Sequence, residues 1–181
     1  ENVVKLLVFC HPDDEPELAR SQIRTVKRLF TAARRNKLEF LLEIIPSKVG
    51  KVDDTASATL IQTFYDAGIY PDWWKLEPFK TDAAWANVVA VIERNDPHTR
   101  GIVVLGLDAP EAELAASFAL AAKQPLVKGF AVGRTIFGEA ARHWLTGQIS
   151  DDEAVTRMAE SYARLCGIWD QARAEALEEA S

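Results

Sequence analysis

Cysteine is scarce in this sequence: Cys10 and Cys166 are the only two. Two cysteines cannot frame a small disulfide-held fold. Cys10 falls inside an apolar, strand-like run, so the pair reads as reduced thiols and the protein as cytoplasmic. Histidine is nearly as rare, with His11, His98 and His143. Long apolar runs are missing: none approaches the ~20 residues that a membrane-spanning helix needs. Basic charge is not in excess either. Lys and Arg number 21 against 27 Asp and Glu, for a net charge of −6, which speaks against nucleic-acid and membrane-surface partners. No signal-peptide pattern and no Pro-, Gly- or Ser-rich linker interrupts the chain, so residues 1–181 are expected to form one domain or a piece of one. What the chain has is apolar bulk: 48% hydrophobic residues, five of them Trp, enough for a well-buried core.

That bulk is patterned. Five short apolar runs recur, at Val3–Cys10, Glu39–Ile45, Trp73–Leu76, Ile102–Leu107 and Val127–Val132. They are roughly 25–35 residues apart, the size of a βα unit. Val, Ile, Leu and Phe dominate them, which predicts strands buried on both faces. Helix signals fill the gaps. Thr81 precedes "DAAWANVVAVIE", Pro110 opens "PEAELAASFALAA", and Ser150 with Glu153 makes a capping box before the last helix. On that helix Val155, Met158, Tyr162, Leu165 and Trp169 fall on one stripe, expected to pack on the domain. Strict β–α alternation predicts a parallel sheet. It could be a five-stranded doubly wound sheet, or five units of a (β/α)8 barrel, which needs roughly 200–250 residues. The first core run begins at Val3 with almost nothing ahead of it, and the expectation is a fragment or trimmed chain lacking the first three units.

The opening stretch "LVFCHPDDEPEL" looks like the metal-binding start of zinc-dependent sugar N-deacetylases. A zinc site needs about three protein ligands. His98, in a turn, and His143, in a helix, do not supply them at ligand spacing, so no metal is expected. The simpler reading is a helix start. Asp14 and Glu17 form D-x-x-E, Pro16 suits the first turn, and acidic residues suit the positive end of the helix. His11, at the end of its strand, is kept as a candidate substrate contact.

Other residues carry more chemistry. In "PDWWKLEPF", Lys75 sits mid-strand, and alternation puts it on one face with Trp73 and Glu77. A lysine is seldom buried without a partner. Held in a dry site, it can serve as an amine nucleophile toward a carbonyl. It can equally be a strand-end lysine paired with Glu77 or Glu43. Glu43, in "FLLEIIP", lies one βα unit earlier, where an adjacent strand brings it beside Lys75. It can shuttle protons or be half of a structural ion pair. In "VKGFAVGRTIF", Gly133 and Arg134 stand where a strand gives way to a helix. Backbone amides, a helix N-terminus and a guanidinium together suit a phosphate. Gly106 ends the preceding strand.

Taken in order, "KLLVFCHPDDEPEL", "LLEIIPSK", "PDWWKLEP", "GIVVLGLDAPEAEL" and "VKGFAVGRTIFGEAARHWL" resemble one family along nearly the whole chain. It is the aldolase-like C-terminal domain of bacterial bifunctional 5-dehydro-2-deoxygluconokinase/5-dehydro-2-deoxyphosphogluconate aldolases of myo-inositol catabolism. More distantly the chain is similar to class I tagatose-bisphosphate aldolases, which are (β/α)8 barrels. The resemblance implies the last five units of such a barrel, with strands in sequential order. It matches Lys75 to the Schiff-base lysine, Glu43 to the acid/base, Lys5 to a further active-site lysine, and Arg134 with Gly133 to the phosphate site. Gly106 stands where the tagatose enzymes have a phosphate-binding serine. Implied with these are cleavage of 6-phospho-5-dehydro-2-deoxygluconate to dihydroxyacetone phosphate and malonate semialdehyde, and no cofactor. The partner is a phosphorylated sugar acid, with room for a homo-oligomer and for a fused sugar kinase domain. A chain of five units is expected to be weakly active or inactive by itself. The rivals are the zinc hydrolase and a non-enzymatic receiver-like module. The module also has five βα units and a lysine in strand five, here Lys128, but its third strand should end in Asp and this one ends in Glu77-Pro78.

Overall fold

The structure, a computed structural model, describes residues 2–106 and 110–179. Strands β1 (Val3–Val8), β2 (Glu39–Ile44), β3 (Trp73–Leu76), β4 (Gly101–Val104) and β5 (Val127–Phe130) alternate with helices α1 (Pro16–Arg35), α2 (Ala56–Asp66), α3 (Asp82–Asn95), α4 (Glu111–Ala121) and α5 (Arg134–Leu145). The long α6 (Asp151–Glu179) follows. All neighbouring strands pair in parallel, in the order β1-β2-β3-β4-β5. Sequential order is what unbroken βα repeats give in a barrel wall, whereas a receiver-like sheet runs 2-1-3-4-5. Among the described residues the one register shift lies at Ile102/Val103, opposite β5. Next to it Gly101 has φ 134°, and a Cβ there would sit 2.5 Å from the Leu126 carbonyl oxygen.

Burial on both faces is corrected by the structure. Phe40, Leu42, Ile44, Trp74, Leu76, Ile102 and Val104 are buried beneath the helices. Trp74 illustrates the packing: its ring meets Phe64 and Tyr65 of α2, and its Nε1 donates to the Tyr65 hydroxyl at 2.9 Å. The alternate residues Val3, Lys5, Leu7, Leu41, Trp73, Lys75 and Val103 are only partly covered or exposed. All the crossovers lie on one side, so one face is core and the other is the inner wall of a partial barrel.

Strand ends are corrected as well. Only β3 has the expected bounds. The others stop short, and the leftover apolar residues Phe9, Ile45, Leu105 and Val132 line a cavity at the C-terminal end of the sheet. Leu107 lies outside the described residues. At the helix starts, Thr81 Oγ1 accepts from Ala84 N at 3.1 Å and Ser150 Oγ accepts from Glu153 N at 3.2 Å. Asp14 does not cap α1. Its carboxylate accepts the His11 amide at 2.8 Å, and the cap position is Glu15, followed by Pro16. On α6, Leu165 and Trp169 are buried, Trp169 edge-on to Phe118. Val155 and Tyr162 are 67% and 53% exposed. Ala154 and Ala172 extend the buried line instead, because small residues let the helix lie close to α5 and α4. Among the described residues no helix is long and apolar enough to cross a membrane.

Candidate active site

The C-terminal ends of the strands surround a cavity of about 560 Å³. This is a size that takes a small metabolite. Glu43 and Lys75 are direct partners in the β2–β3 register. In parallel neighbours, register partners project to the same face, so their heads meet without distortion. Lys75 Nζ lies 3.3 Å from Glu43 Oε1, and Lys5 Nζ donates to Glu43 Oε2 at 2.6 Å. Lys5 is diagonal to Glu43, one strand across and two residues down, since its own partner is Leu41. The side chains differ in burial: 7% exposed for Glu43, 16% for Lys75 and 48% for Lys5. A buried carboxylate thus holds one ammonium at the cavity wall and another at the solvent edge.

Across the cavity, Gly133 is the N-cap of α5 and Arg134 its first residue. Both line the cavity, so amide groups at a helix N-terminus and a guanidinium face the same space. Gly106 also lines it. A Cβ at Gly106 would come within 2.8 Å of Val132 Cγ1 and 3.3 Å of Thr135 Oγ1. A serine, which the tagatose enzymes have at this position, would therefore force Val132 to shift, and the Thr135 hydroxyl lies beside it. Thr135 and Lys48 are cavity residues that sequence reasoning missed. Thr135 was legible as a hydroxyl directly after the Gly-Arg pair. Lys48, in the Pro46–Lys48 3₁₀ turn after β2, followed a strand already credited with Glu43.

Three residues raised by the sequence, His11, Glu77 and Lys128, lie elsewhere or have other partners. His11 is absent from the cavity wall. Its Nδ1 accepts the Asp13 amide at 3.2 Å and its Nε2 donates to the Lys51 carbonyl at 2.9 Å. With both nitrogens engaged, the ring ties the β1–α1 turn to the β2–α2 loop. Among the described residues no cluster of His, Cys, Asp and Glu is placed to hold a metal ion. Glu77 does not pair with Lys75. It is buried and accepts from the amide and hydroxyl of Ser47. Lys128 is exposed and donates to the Pro125 carbonyl at 2.8 Å, at the far end of the sheet. Cys10 lies beneath the same turn, where burial, aided by Asp14, pushes its thiol up to about 12.

The fold has a solved counterpart. A fructose-bisphosphate aldolase from Plasmodium falciparum, crystallised with TRAP and a small-molecule inhibitor, is similar with a TM-score of 0.59 and 15% identity. The match covers 97% of this chain and 55% of that one, so this chain spans about half the aldolase's length. No curated protein matches the chain. Residues 1–173 match one family over almost the entire length, and the chain belongs to it: DUF2090, described as an uncharacterized protein conserved in bacteria.

Proposed function

We propose that these five units carry the catalytic half of a class I aldolase site. The observation that supports this most is Glu43 bridging Lys5 and Lys75 at the mouth of the sheet, opposite the Gly133–Arg134 helix start. The C-terminal face is where barrel enzymes place their chemistry. By resemblance the substrate is 6-phospho-5-dehydro-2-deoxygluconate. Lys75 Nζ adds to the keto carbon and water leaves, giving an iminium. A base takes the proton of the hydroxyl two carbons away. As that oxygen becomes an aldehyde, the carbon–carbon bond breaks and its electron pair moves to the iminium nitrogen, leaving an enamine. Malonate semialdehyde departs. Protonation and hydrolysis then release dihydroxyacetone phosphate and restore the amine. Glu43 is the group in reach of Lys75 for these proton transfers. Arg134 and the Gly133 and Gly106 backbones hold the phosphate.

Borohydride reduction in the presence of dihydroxyacetone phosphate tests this reading, with the adduct located by mass spectrometry. With the complete barrel, the expected result is a covalent adduct on Lys75, absent from Lys75→Met, whereas the five units alone are expected to trap weakly. An adduct on Lys5 or Lys128, with Lys75→Met still trapping, would reassign the nucleophile. No adduct on any lysine of the complete barrel would sink the aldolase reading.

A further inference from the structure

One basic group in the cavity has no part in that reaction. Lys48 lines the same space as Lys75 and Arg134. None of the ion pairs among the described residues involves it. The turn that carries it is firmly held. Pro46 is buried. The amides of Val49 and Gly50 donate to the Pro46 carbonyl at 2.9 and 3.1 Å. The amide and hydroxyl of Ser47 both donate to Glu77. Glu77 is among the few buried charged side chains of the described residues, and its carboxylate anchors this turn. A buried acid is thus spent on fixing the base of a side chain that ends in the cavity.

The order of the strands gives Lys48 a direction. β2 flanks β3 on one side, and β5 lies two strands away on the other. Lys48 follows β2 and Arg134 follows β5, so the two cations enter from opposite sides of Lys75. Their strands are three spacings apart, ~14 Å at the backbone, and both side chains are long. An elongated ligand with a carbonyl in the middle and an anion at each end fits that arrangement. We propose that Lys48 binds a second anionic group of the substrate, a carboxylate or a second phosphate, at the end remote from Arg134. This rests on the aldolase reading of the cavity. An ammonium suits a single carboxylate, which needs no two-pronged partner. A pre-ordered turn lowers the entropy lost on binding.

Three linear probes without a carbonyl test it by calorimetry: 6-phosphogluconate, sorbitol 6-phosphate and sorbitol 1,6-bisphosphate. The wild-type protein is expected to bind 6-phosphogluconate or the bisphosphate more tightly than sorbitol 6-phosphate, and the tighter of the two names the anion. Lys48→Met should weaken that probe about two- to fivefold, the scale of one exposed charge contact. It should leave sorbitol 6-phosphate unchanged, and Lys48→Arg should restore binding. Equal wild-type affinity for all three probes, equal weakening of all three, no weakening, or no binding to the wild type would overturn the proposal. Because the probes have no carbonyl, their binding is independent of iminium formation. Loss of the Lys48 effect with Lys75 trapping intact removes only this inference. Failure of trapping with the Lys48 effect intact removes only the aldolase chemistry.

Discussion

Glu39 and Glu43 stand four residues apart on β2 and project to the same face of the sheet. Each holds two partners. Glu39 accepts from Trp73 Nε1 at 2.8 Å and pairs with Arg100 Nη2 at 2.6 Å. Glu43 takes Lys5 and Lys75. The sequence signature is the same: an acid in an apolar strand. The partners make the difference. A guanidinium keeps its proton and an indole only donates, so Glu39 forms a fixed contact. An ammonium can give its proton up, and Glu43 stands beside an open cavity where a ligand can receive it. On the proposed reading, one strand carries a structural ion pair at its N-terminal end and a proton-transferring one at its C-terminal end. That is the division of labour between the bottom and top of a barrel.

Glu43→Gln should show the largest effect. The amide keeps the shape and loses the proton acceptor. Adduct formation on Lys75 is expected to fall by about 10²–10⁴, the usual worth of general acid–base help. Glu39→Gln should trap within about twofold of wild type, as expected of a group that takes no part in proton transfer. If both variants trap alike, Glu43 is only another Glu39.

Stability should respond in the reverse sense. Glu39→Gln weakens hydrogen bonds to a charged acceptor that tie β2 to β3 and to Arg100. It is expected to cost about 1–3 kcal/mol in urea unfolding. A loss confined to Glu43→Gln, with Glu39→Gln neutral, would invert the assignment of the two ends.

How much of this was legible beforehand depends on which physics each residue obeys. The strands announced themselves because β-branched and aromatic runs repeat at βα spacing, but alternation fits a doubly wound sheet as well as a barrel wall, so sequential order was legible only through the family resemblance. Strand ends were overrun. Phe9, Ile45, Leu105 and Val132 are apolar because they wall the cavity, and hydrophobicity alone does not separate wall from strand. Lys75, Glu43, Gly133 and Arg134 were found because charges and glycines are conspicuous inside apolar runs. Lys48 was not, since a lysine in a turn looks like any solvated lysine until Glu77 is seen gripping Ser47. The D-x-x-E pattern misled at Asp14 because the same carboxylate serves a tight turn as readily as a helix cap.

Alkaline titration compares the charged ends of the sheet with its neutral, helix-covered side. Burial raises the Cys10 thiol from 9.0 to about 12, and burial raises the Tyr65 hydroxyl too. Both groups hold their protons more tightly folded than unfolded. Their contribution to stability is therefore complete below about pH 9, where the unfolded thiol is still protonated, and drains away as pH climbs toward 12. By pH ~10 the thiol alone should have cost about 1 kcal/mol. Cys10→Ala should flatten that part of the curve. An unchanged curve would place the alkaline loss elsewhere.

Lys5→Met tests the exposed side of the reactive pair and should have the smallest effect. Lys5 is about half exposed, so its contact with Glu43 is screened by water and is worth about 0–1 kcal/mol. Its position matters more than its energy. By holding Oε2 it leaves Oε1 turned toward Lys75. Without it, Glu43 is held by Lys75 alone and is free to turn both oxygens toward that amine, away from the position in which it would serve the substrate. Adduct formation on Lys75 should drop a fewfold, on the order of 2–5, with the urea midpoint nearly unmoved. The separation between these two readouts is the informative part. A loss as deep as that of Glu43→Gln would show Lys5 handling a proton itself. A loss in stability without a loss in trapping would make Lys5 a structural counter-ion, the C-terminal equivalent of Arg100.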